Sequence, residues 1–193
     1  MKKKIKYIFK RLILKRLYME FVTQNSTLHK DIEQTFLVRK CKAKKDTIQK
    51  KFEHLMVYYP EYAFLFFWRI KKKSYKFKSL FVTQDYLCKI FGSTKIAGGI
   101  HCYHPYASVI NAKKIGENFQ FRNGLTIGNK SNDNSKVPTI GNNVIVGANV
   151  VIIGEITIGD NVTIGAGAVV VKDVPDNCII AGNPAKIIRY ITI

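Results

Sequence analysis

Aliphatic residues recur at every sixth position along the second half of the chain. Between residues 140 and 175 each of these positions is Ile or Val, and the residue four places later is also small and apolar. A helix repeats about every 3.6 residues and a strand every two, so neither element explains a period of six. The six leading residues are Ile140, Val146, Ile152, Ile158, Ile164 and Val170.

A hexapeptide repeat of this kind predicts a parallel β-helix. The leading aliphatic residues point into a triangular prism, and Gly or Asn residues turn its corners because positive φ costs them little. Three hexads make one coil, and coils stack about 4.8 Å apart. Short strands in a β-sandwich are the alternative, but they would not hold one phase over six consecutive hexads.

The same phase continues upstream and is interrupted once. Residues 128–138 are polar and turn-rich, so we expect a loop that leaves the coil there. The prism is expected to begin at Ile96, and Ile187 and Ile188 are expected to cover its last coil. The upstream repeat positions are Val109, Ile115, Phe121 and Ile127.

The N-terminal half has apolar residues at helical spacing. We expect helical segments within residues 5–22, 31–54, 61–71 and 79–91. The predicted organisation is therefore an α-helical region over residues 1–92 and a β-helix over residues 93–193. Helices at this end could cap the first coil, whose strand edges would otherwise be exposed.

Positive charge is concentrated in the helical half. Of 32 Lys and Arg residues, 24 lie within residues 1–100, where only 7 of the 13 acidic residues occur. These cations are scattered and form no aromatic–basic module, so no nucleic-acid partner is expected. They are interpreted as a solvated helical surface. The alternative is contact of residues 2–16 with the inner face of a membrane, because apolar residues interleave with cations there.

The four cysteines show no pairing pattern, and nothing suggests a disulfide framework or a metal site. They fit a reducing compartment. Cations at positions 10, 11, 15 and 16 break any signal-peptide core, so we expect a cytoplasmic protein.

Two of the four histidines, His101 and His104, stand at the entrance to the repeats. The hexads, the Gly-rich lead into His104 and the ending Ala181-Gly-Asn-Pro-Ala-Lys186 resemble the left-handed β-helix acyltransferases. Within them the match is to the serine acetyltransferase branch and its relatives in polysaccharide gene clusters. The resemblance covers about residues 96–190. The left hand of the coil comes from this resemblance alone, since ordinary parallel crossovers have the opposite hand.

The resemblance implies acetyl-CoA as the co-substrate and a homotrimer with active sites between subunits, with a dimer of trimers through the helices as a further arrangement. It aligns His104 with the catalytic histidine of the family, a role that suits imidazole as a base near neutrality. It also implies further site residues. The acceptor contacts are Tyr103, Arg122, Asn123 and Lys136, and the CoA contacts are Gly147, Ala148, Gly165, Ala166 and Lys186.

The chain departs from the serine enzymes around His104. Tyr103 stands where they have Asp, Lys89 aligns with the Asp that holds the imidazole, and Val137 replaces a histidine in the loop. Groups suited to an amino-acid acceptor are therefore partly lost. We expect an O-acetyltransferase acting on a sugar hydroxyl in surface polysaccharide biosynthesis. Serine O-acetylation and a non-catalytic β-helix scaffold or binding module are the alternatives.

Overall fold

The computed structural model describes residues 2–41, 47–71 and 77–192. The chain divides into two compact units, Met1–Gln84 and Asp85–Ile193. The first contains helices and the second a parallel β-solenoid. The boundary found from contacts thus precedes residue 92, because the first strand of the solenoid already begins at Lys89.

The described residues of the helical unit form four α-helices. Helix α1 continues into a π-helical turn, Tyr18–Val22. Asn25 caps α2 by accepting a hydrogen bond from the Leu28 N–H, and the first residue of α4 is Pro60, whose fixed φ suits a helix start. The helices are α1 Lys2–Leu17, α2 Ser26–Val38, α3 Ile48–Tyr58 and α4 Pro60–Arg69.

Among residues 2–41, 47–71 and 77–84, the ion pairs Arg69–Asp31 and Arg39–Glu61 are buried. The Arg69 guanidinium donates to both oxygens of Asp31, at 2.8 and 3.1 Å. Arg39 donates to Glu61 at 3.0 Å. Both pairs lie beside a core that includes Phe52, so each charge depends on its partner instead of water.

The solenoid winds through about five coils. Its strands are β1 Lys89–Ile90, β2 Lys95–Ile96, β3 His101–Tyr103, β4 Val109–Ile110, β5 Lys114–Ile115, β6 Gln120–Arg122, β7 Thr126–Gly128, β8 Thr139–Ile140, β9 Ile145–Val146, β10 Val151–Ile153, β11 Thr157–Ile158, β12 Thr163–Ile164, β13 Val169–Val170, β14 Cys178–Ala181 and β15 Lys186–Tyr190.

Strands β1 to β14 form three parallel sheets, and β15 joins sheet C antiparallel to β14. Sheet A has the order β1-β4-β7-β10-β13, sheet B has β11-β8-β5-β2, and sheet C has β15-β14-β12-β9-β6-β3. Ile110, Ile127 and Ile152 are in register on sheet A and are fully buried. All six leading residues of the repeat are at most 2% exposed, which confirms the predicted prism interior.

Three expectations about this unit were wrong. Residues 79–91 do not form a helix: Lys78–Leu80 is one 3₁₀ turn, and β1 pairs with β4. Val109 points outward and Ile110 fills the interior, because the corner after β3 is longer than one hexad spacing. Ile187 and Ile188 do not cover the last coil. They lie on β15, which runs antiparallel beside β14 and is exposed along its length.

An asparagine ladder closes the corner between sheets B and C. Four asparagines stack there from coil to coil, each with φ between 55° and 57°. Their side-chain amides donate to one another at 2.9, 2.9 and 2.7 Å. Asparagine tolerates left-handed backbone and can hydrogen-bond locally, so it serves both needs at this corner. The four residues are Asn118, Asn143, Asn161 and Asn177.

Replacing Asn161 with alanine is expected to lower the free energy of unfolding by about 2–3 kcal/mol. It removes two side-chain hydrogen bonds of about 1 kcal/mol each and leaves alanine in a left-handed conformation. Urea titration measures the loss. Asn161→Gly removes the same hydrogen bonds, but glycine adopts the left-handed backbone conformation readily. It is therefore expected to lower the free energy of unfolding by less than Asn161→Ala does. An equal cost for both would contradict the backbone part of the account.

Candidate functional site

The candidate residues gather where the chain passes from sheet C to sheet A, called here the C–A edge. Backbone hydrogen bonds stack its corners: Gly124 N–H donates to Tyr106 at 2.8 Å, and Asn149 N–H donates to Asn123 at 2.9 Å. Gly167 N–H then donates to the carbonyl oxygen of Ala148 at 2.8 Å. The corners comprise residues 103–108, 122–125, 147–150 and 165–168. Residues 181–185 form the turn between β14 and β15 of sheet C, and they hydrogen-bond to Val169 beside the last corner.

His104 stands exposed at the first corner of this edge. Its φ is 49°, a left-handed conformation, and its carbonyl oxygen accepts the Tyr106 N–H at 2.6 Å across a three-residue turn. The turn directs the imidazole away from the packed interior. The structure therefore places an imidazole, a potential base, at the surface.

Tyr103 forms an aromatic and cationic platform beside His104. Its ring meets the His101 ring edge to face, with centroids 4.6 Å apart. The Arg122 guanidinium lies 4.7 Å from the Tyr103 ring centroid, because β3 and β6 place these residues in register. His101 itself is buried, and it supports Tyr103 from one side. The platform presents a flat aromatic face and the hydrogen-bond donors of a guanidinium.

A second aromatic contact at this corner was not anticipated from the sequence. The Tyr106 ring lies 5.0 Å from the ring of Tyr86, and the Tyr86 carbonyl oxygen accepts the Ala107 N–H at 3.0 Å. Tyr86 is buried and fixes the turn that contains His104. No motif marks it, because it precedes the repeats in a segment that was predicted as helix.

The small residues farther along the edge are required by stacking. A Cβ atom on Gly147 would come within 2.6 Å of the Ala166 nitrogen, and one on Gly165 would come within 2.9 Å of the Ala181 Cβ. Ala148 is half-buried and Ala166 is exposed. Lys186 follows the turn between β14 and β15 and is exposed. Together they form a narrow, smooth track with a cation at its end, and their contact with CoA stays a prediction.

Lys136 is the one candidate that lies elsewhere. It belongs to the loop between β7 and β8, at the corner between sheets A and B, and its Nζ pairs with Asp133 at 3.5 Å. Hydrogen bonds from Ser135, with the Lys136 cation adding to them, lower the pKa of the Asp133 carboxyl. Asn134 accepts from Asn129 at 2.7 Å and orders the loop. Within one chain, Lys136 therefore does not join the residues of the C–A edge.

In the described ranges, no helix is long and apolar enough to cross a membrane. No group of three or more metal-ligating side chains occurs among residues 2–41, 47–71 and 77–192.

Comparison with known proteins agrees with this architecture. Residues 138–172 match the family described as "Bacterial transferase hexapeptide (six repeats)". The chain is 51% identical over 86 residues to the putative colanic acid biosynthesis acetyltransferase WcaB of Escherichia coli K12, covering 44% of this chain and 53% of WcaB. It is 40% identical over 109 residues to serine acetyltransferase 1, chloroplastic, of Arabidopsis thaliana, covering 55% of this chain and 35% of that protein. The chain thus spans about half of the first relative and less of the second.

Solved structures show the same fold. Serine acetyltransferase from Brucella abortus strain S19, in complex with coenzyme A, aligns with a TM-score of 0.61 at 20% identity, covering 92% of this chain and 72% of that one. At 20% identity, the alignment establishes only a shared fold. The likeness extends over the helical unit and the solenoid, and the resemblance inferred from the motifs is confirmed. Residues 138–172 thus match the hexapeptide-repeat family, and the chain is similar in sequence and fold to serine acetyltransferases and in sequence to a putative colanic acid biosynthesis acetyltransferase.

Proposed function

We propose that the chain is an acetyl-CoA-dependent O-acetyltransferase whose acceptor is a sugar hydroxyl of a surface polysaccharide or its precursor. The observation that carries the proposal is an exposed imidazole, His104, on the same edge as a flat aromatic platform and a track of small residues. The activity named for WcaB supports the acetyl group and the glycan acceptor. We assign this activity to the solenoid, residues 93–193 in the predicted division.

In the proposed reaction, His104 removes the proton from the acceptor hydroxyl as its oxygen attacks the thioester carbonyl. A tetrahedral intermediate forms, and backbone N–H groups of the corners can stabilise its oxyanion. Its collapse breaks the carbon–sulfur bond, and the departing thiolate takes the proton back from the imidazolium. The products are the O-acetyl ester and CoA, and no covalent enzyme intermediate is needed.

We assign the CoA-binding surface to the small residues of the C–A edge. Pantetheine would lie along Gly147, Ala148, Gly165 and Ala166, where larger side chains would block it. Lys186 would pair with phosphate at the end of this track. The coenzyme A bound to the Brucella structure supports the choice of cofactor.

A multimer, which we propose to be a homotrimer, would complete the site. Lys136 and His104 lie on different corners of the prism. The loop that contains Lys136 could therefore reach only the C–A edge of a neighbouring copy. β-branched side chains line the outward column of sheet A, including the partly exposed Val109, Val151 and Val169, and suit contact with another copy. A dimer of trimers through the helices is the larger arrangement. We place the assembly in the cytoplasm, at the inner face of the membrane.

Serine O-acetylation is the second candidate function, and one contact favours it. The guanidinium of Arg122 could hold a carboxylate as well as a sugar hydroxyl. The Arabidopsis relative is named for that activity. A catalytically silent scaffold is the third candidate, and it would require neither His104 nor the platform.

The acceptor test measures free-thiol release from acetyl-CoA with L-serine and with a panel of hexoses, amino sugars and nucleotide sugars. We expect turnover with a sugar and none with L-serine. Arg122→Gln and Tyr103→Ala are each expected to raise the acceptor KM about tenfold, because each removes one binding contact. Lys114→Gln, on exposed sheet B, is the control. Turnover with L-serine alone would replace the sugar assignment, and absence of both turnover and CoA binding would favour the scaffold.

A further inference from the structure

Helix α1 is the most basic element of the chain. Half of its sixteen residues are Lys or Arg, and it contains no acidic residue. One side of α1 packs into the helical core, where Ile13, Leu14 and Leu17 are buried. Lys10 also turns inward and lies 5.5 Å from the Phe81 ring centroid.

The other side of α1 combines exposed apolar groups with cations. Phe9 and Leu12, three residues apart on one helical face, are 47% and 63% exposed, and Met19 in the following π-helical turn is 62% exposed. Exposed Arg and Lys residues flank them at positions 11, 15 and 16. In the sequence, isoleucines at positions 5 and 8 continue the spacing. We call Phe9, Arg11, Leu12, Lys15, Arg16 and Met19 the α1 surface.

Exposing apolar side chains to water costs free energy. A surface that combines such side chains with cations suits an environment that is both apolar and anionic. In the interface of an anionic bilayer, aliphatic and aromatic groups reach the acyl boundary while Lys and Arg stay at the headgroups. A nucleic acid would satisfy the cations but would leave Phe9 and Leu12 in water. Of these two polyanions, the pattern of the α1 surface therefore favours a lipid membrane.

We propose that the α1 surface binds the interface of membranes that contain anionic lipids. The binding is peripheral and reversible, since a single short amphipathic face supplies it. This inference gives a physical basis for the location stated in the proposed function. It does not depend on the acetyl transfer, because the α1 surface contains none of the residues assigned to the reaction.

Flotation of the full chain with vesicles tests the proposal. We expect binding to vesicles of equal parts phosphatidylcholine and phosphatidylglycerol, and none to phosphatidylcholine alone. Lys15→Gln combined with Arg16→Gln is expected to weaken binding about thirtyfold, since each cation near an anionic surface contributes about fivefold. Leu12→Ser combined with Phe9→Ser is expected to weaken it at least about tenfold, through lost apolar insertion.

Matched controls make the result specific. Leu37 on α2 is 72% exposed, so Leu37→Ser removes a similar apolar side chain from another surface. Lys50→Gln with Lys114→Gln removes two exposed cations elsewhere. Both controls are expected to bind as the wild type does. Equal losses in the controls, or no binding to anionic vesicles, would overturn the proposal.

Two further outcomes are distinguished by parallel measurements. Light scattering that shows a smaller assembly for Leu12→Ser, without any vesicle binding by the wild type, would make the α1 surface a contact between copies and overturn the lipid assignment. Binding to duplex DNA that Leu12→Ser leaves unchanged, again without vesicle binding, would assign the cations to nucleic acid. Thiol release from acetyl-CoA is expected to be equal in all these variants, so failure of the acetyltransferase proposal would be seen separately.

Discussion

Replacing His104 with alanine is expected to lower kcat for acetyl transfer by about 10²- to 10⁴-fold. The loss follows from removing the only assigned base, at a position where the imidazole is exposed and the chain turns sharply. The KM for acetyl-CoA is expected to change little, because CoA would be held along the small residues of the same edge. Thiol release at saturating acceptor measures kcat.

A second variant separates proton transfer from backbone geometry. His104 has a φ of 49°, which alanine adopts at some cost and asparagine adopts readily. His104→Asn therefore keeps the turn but removes the base, and it is expected to be as inactive as His104→Ala. Full activity in His104→Asn would show that the turn, not the imidazole, matters. Full activity in both variants would remove His104 from the mechanism.

Replacing Arg69 with leucine is expected to destabilise the helical unit by about 3–5 kcal/mol. Asp31, whose side chain is only 5% exposed, would lose both hydrogen bonds from the guanidinium. A buried carboxylate without its cation carries most of its desolvation penalty unopposed. Urea denaturation followed by far-ultraviolet circular dichroism measures the change through the helical signal.

Two further variants test whether the pair or the packing is responsible. In Asp31→Leu combined with Arg69→Leu neither charge of this pair is left buried without its partner, so much of the lost stability is expected to return. Lys51→Leu breaks the pair with Glu33, whose side chain is 49% exposed, and is expected to cost less than about 1 kcal/mol. If the double variant is as unstable as Arg69→Leu, the loss of stability comes from lost packing of the aliphatic part of the arginine side chain.

Periodicity predicted the solenoid because its interior imposes one rule on every coil. Ile140, Val146 and Ile152 must each fill the same kind of space, so the spacing is visible without a structure. The first coils depart from this six-residue spacing. The corner that carries His104 contains extra residues, and the phase moved from Val109 to Ile110. The corner that carries the proposed base thus departs from the six-residue spacing, which is why the spacing predicted the wrong interior residue beside it.

Strand pairing between segments far apart in the chain also could not be predicted from the sequence. Residues 79–91 have helical spacing, but Lys89 and Ile90 pair with Val109 and Ile110, and that tertiary contact decides their conformation. The candidate residues around His104 could be named because the sequence resembles a known family. The contact of Tyr86 with Tyr106 and the position of Arg122 over Tyr103 required the register of the coils.

The reversed strand β15 has a consequence for the last strand edge of sheet C. A solenoid whose last coil stayed open could accept the first coil of another molecule and grow into a fibre. Because β15 runs antiparallel to β14, the final edge of sheet C no longer continues the parallel direction of the coils. Its outer edge also carries Lys186 and Arg189, whose charges oppose pairing with an identical strand. We therefore expect the hairpin to oppose end-to-end pairing of solenoids along sheet C.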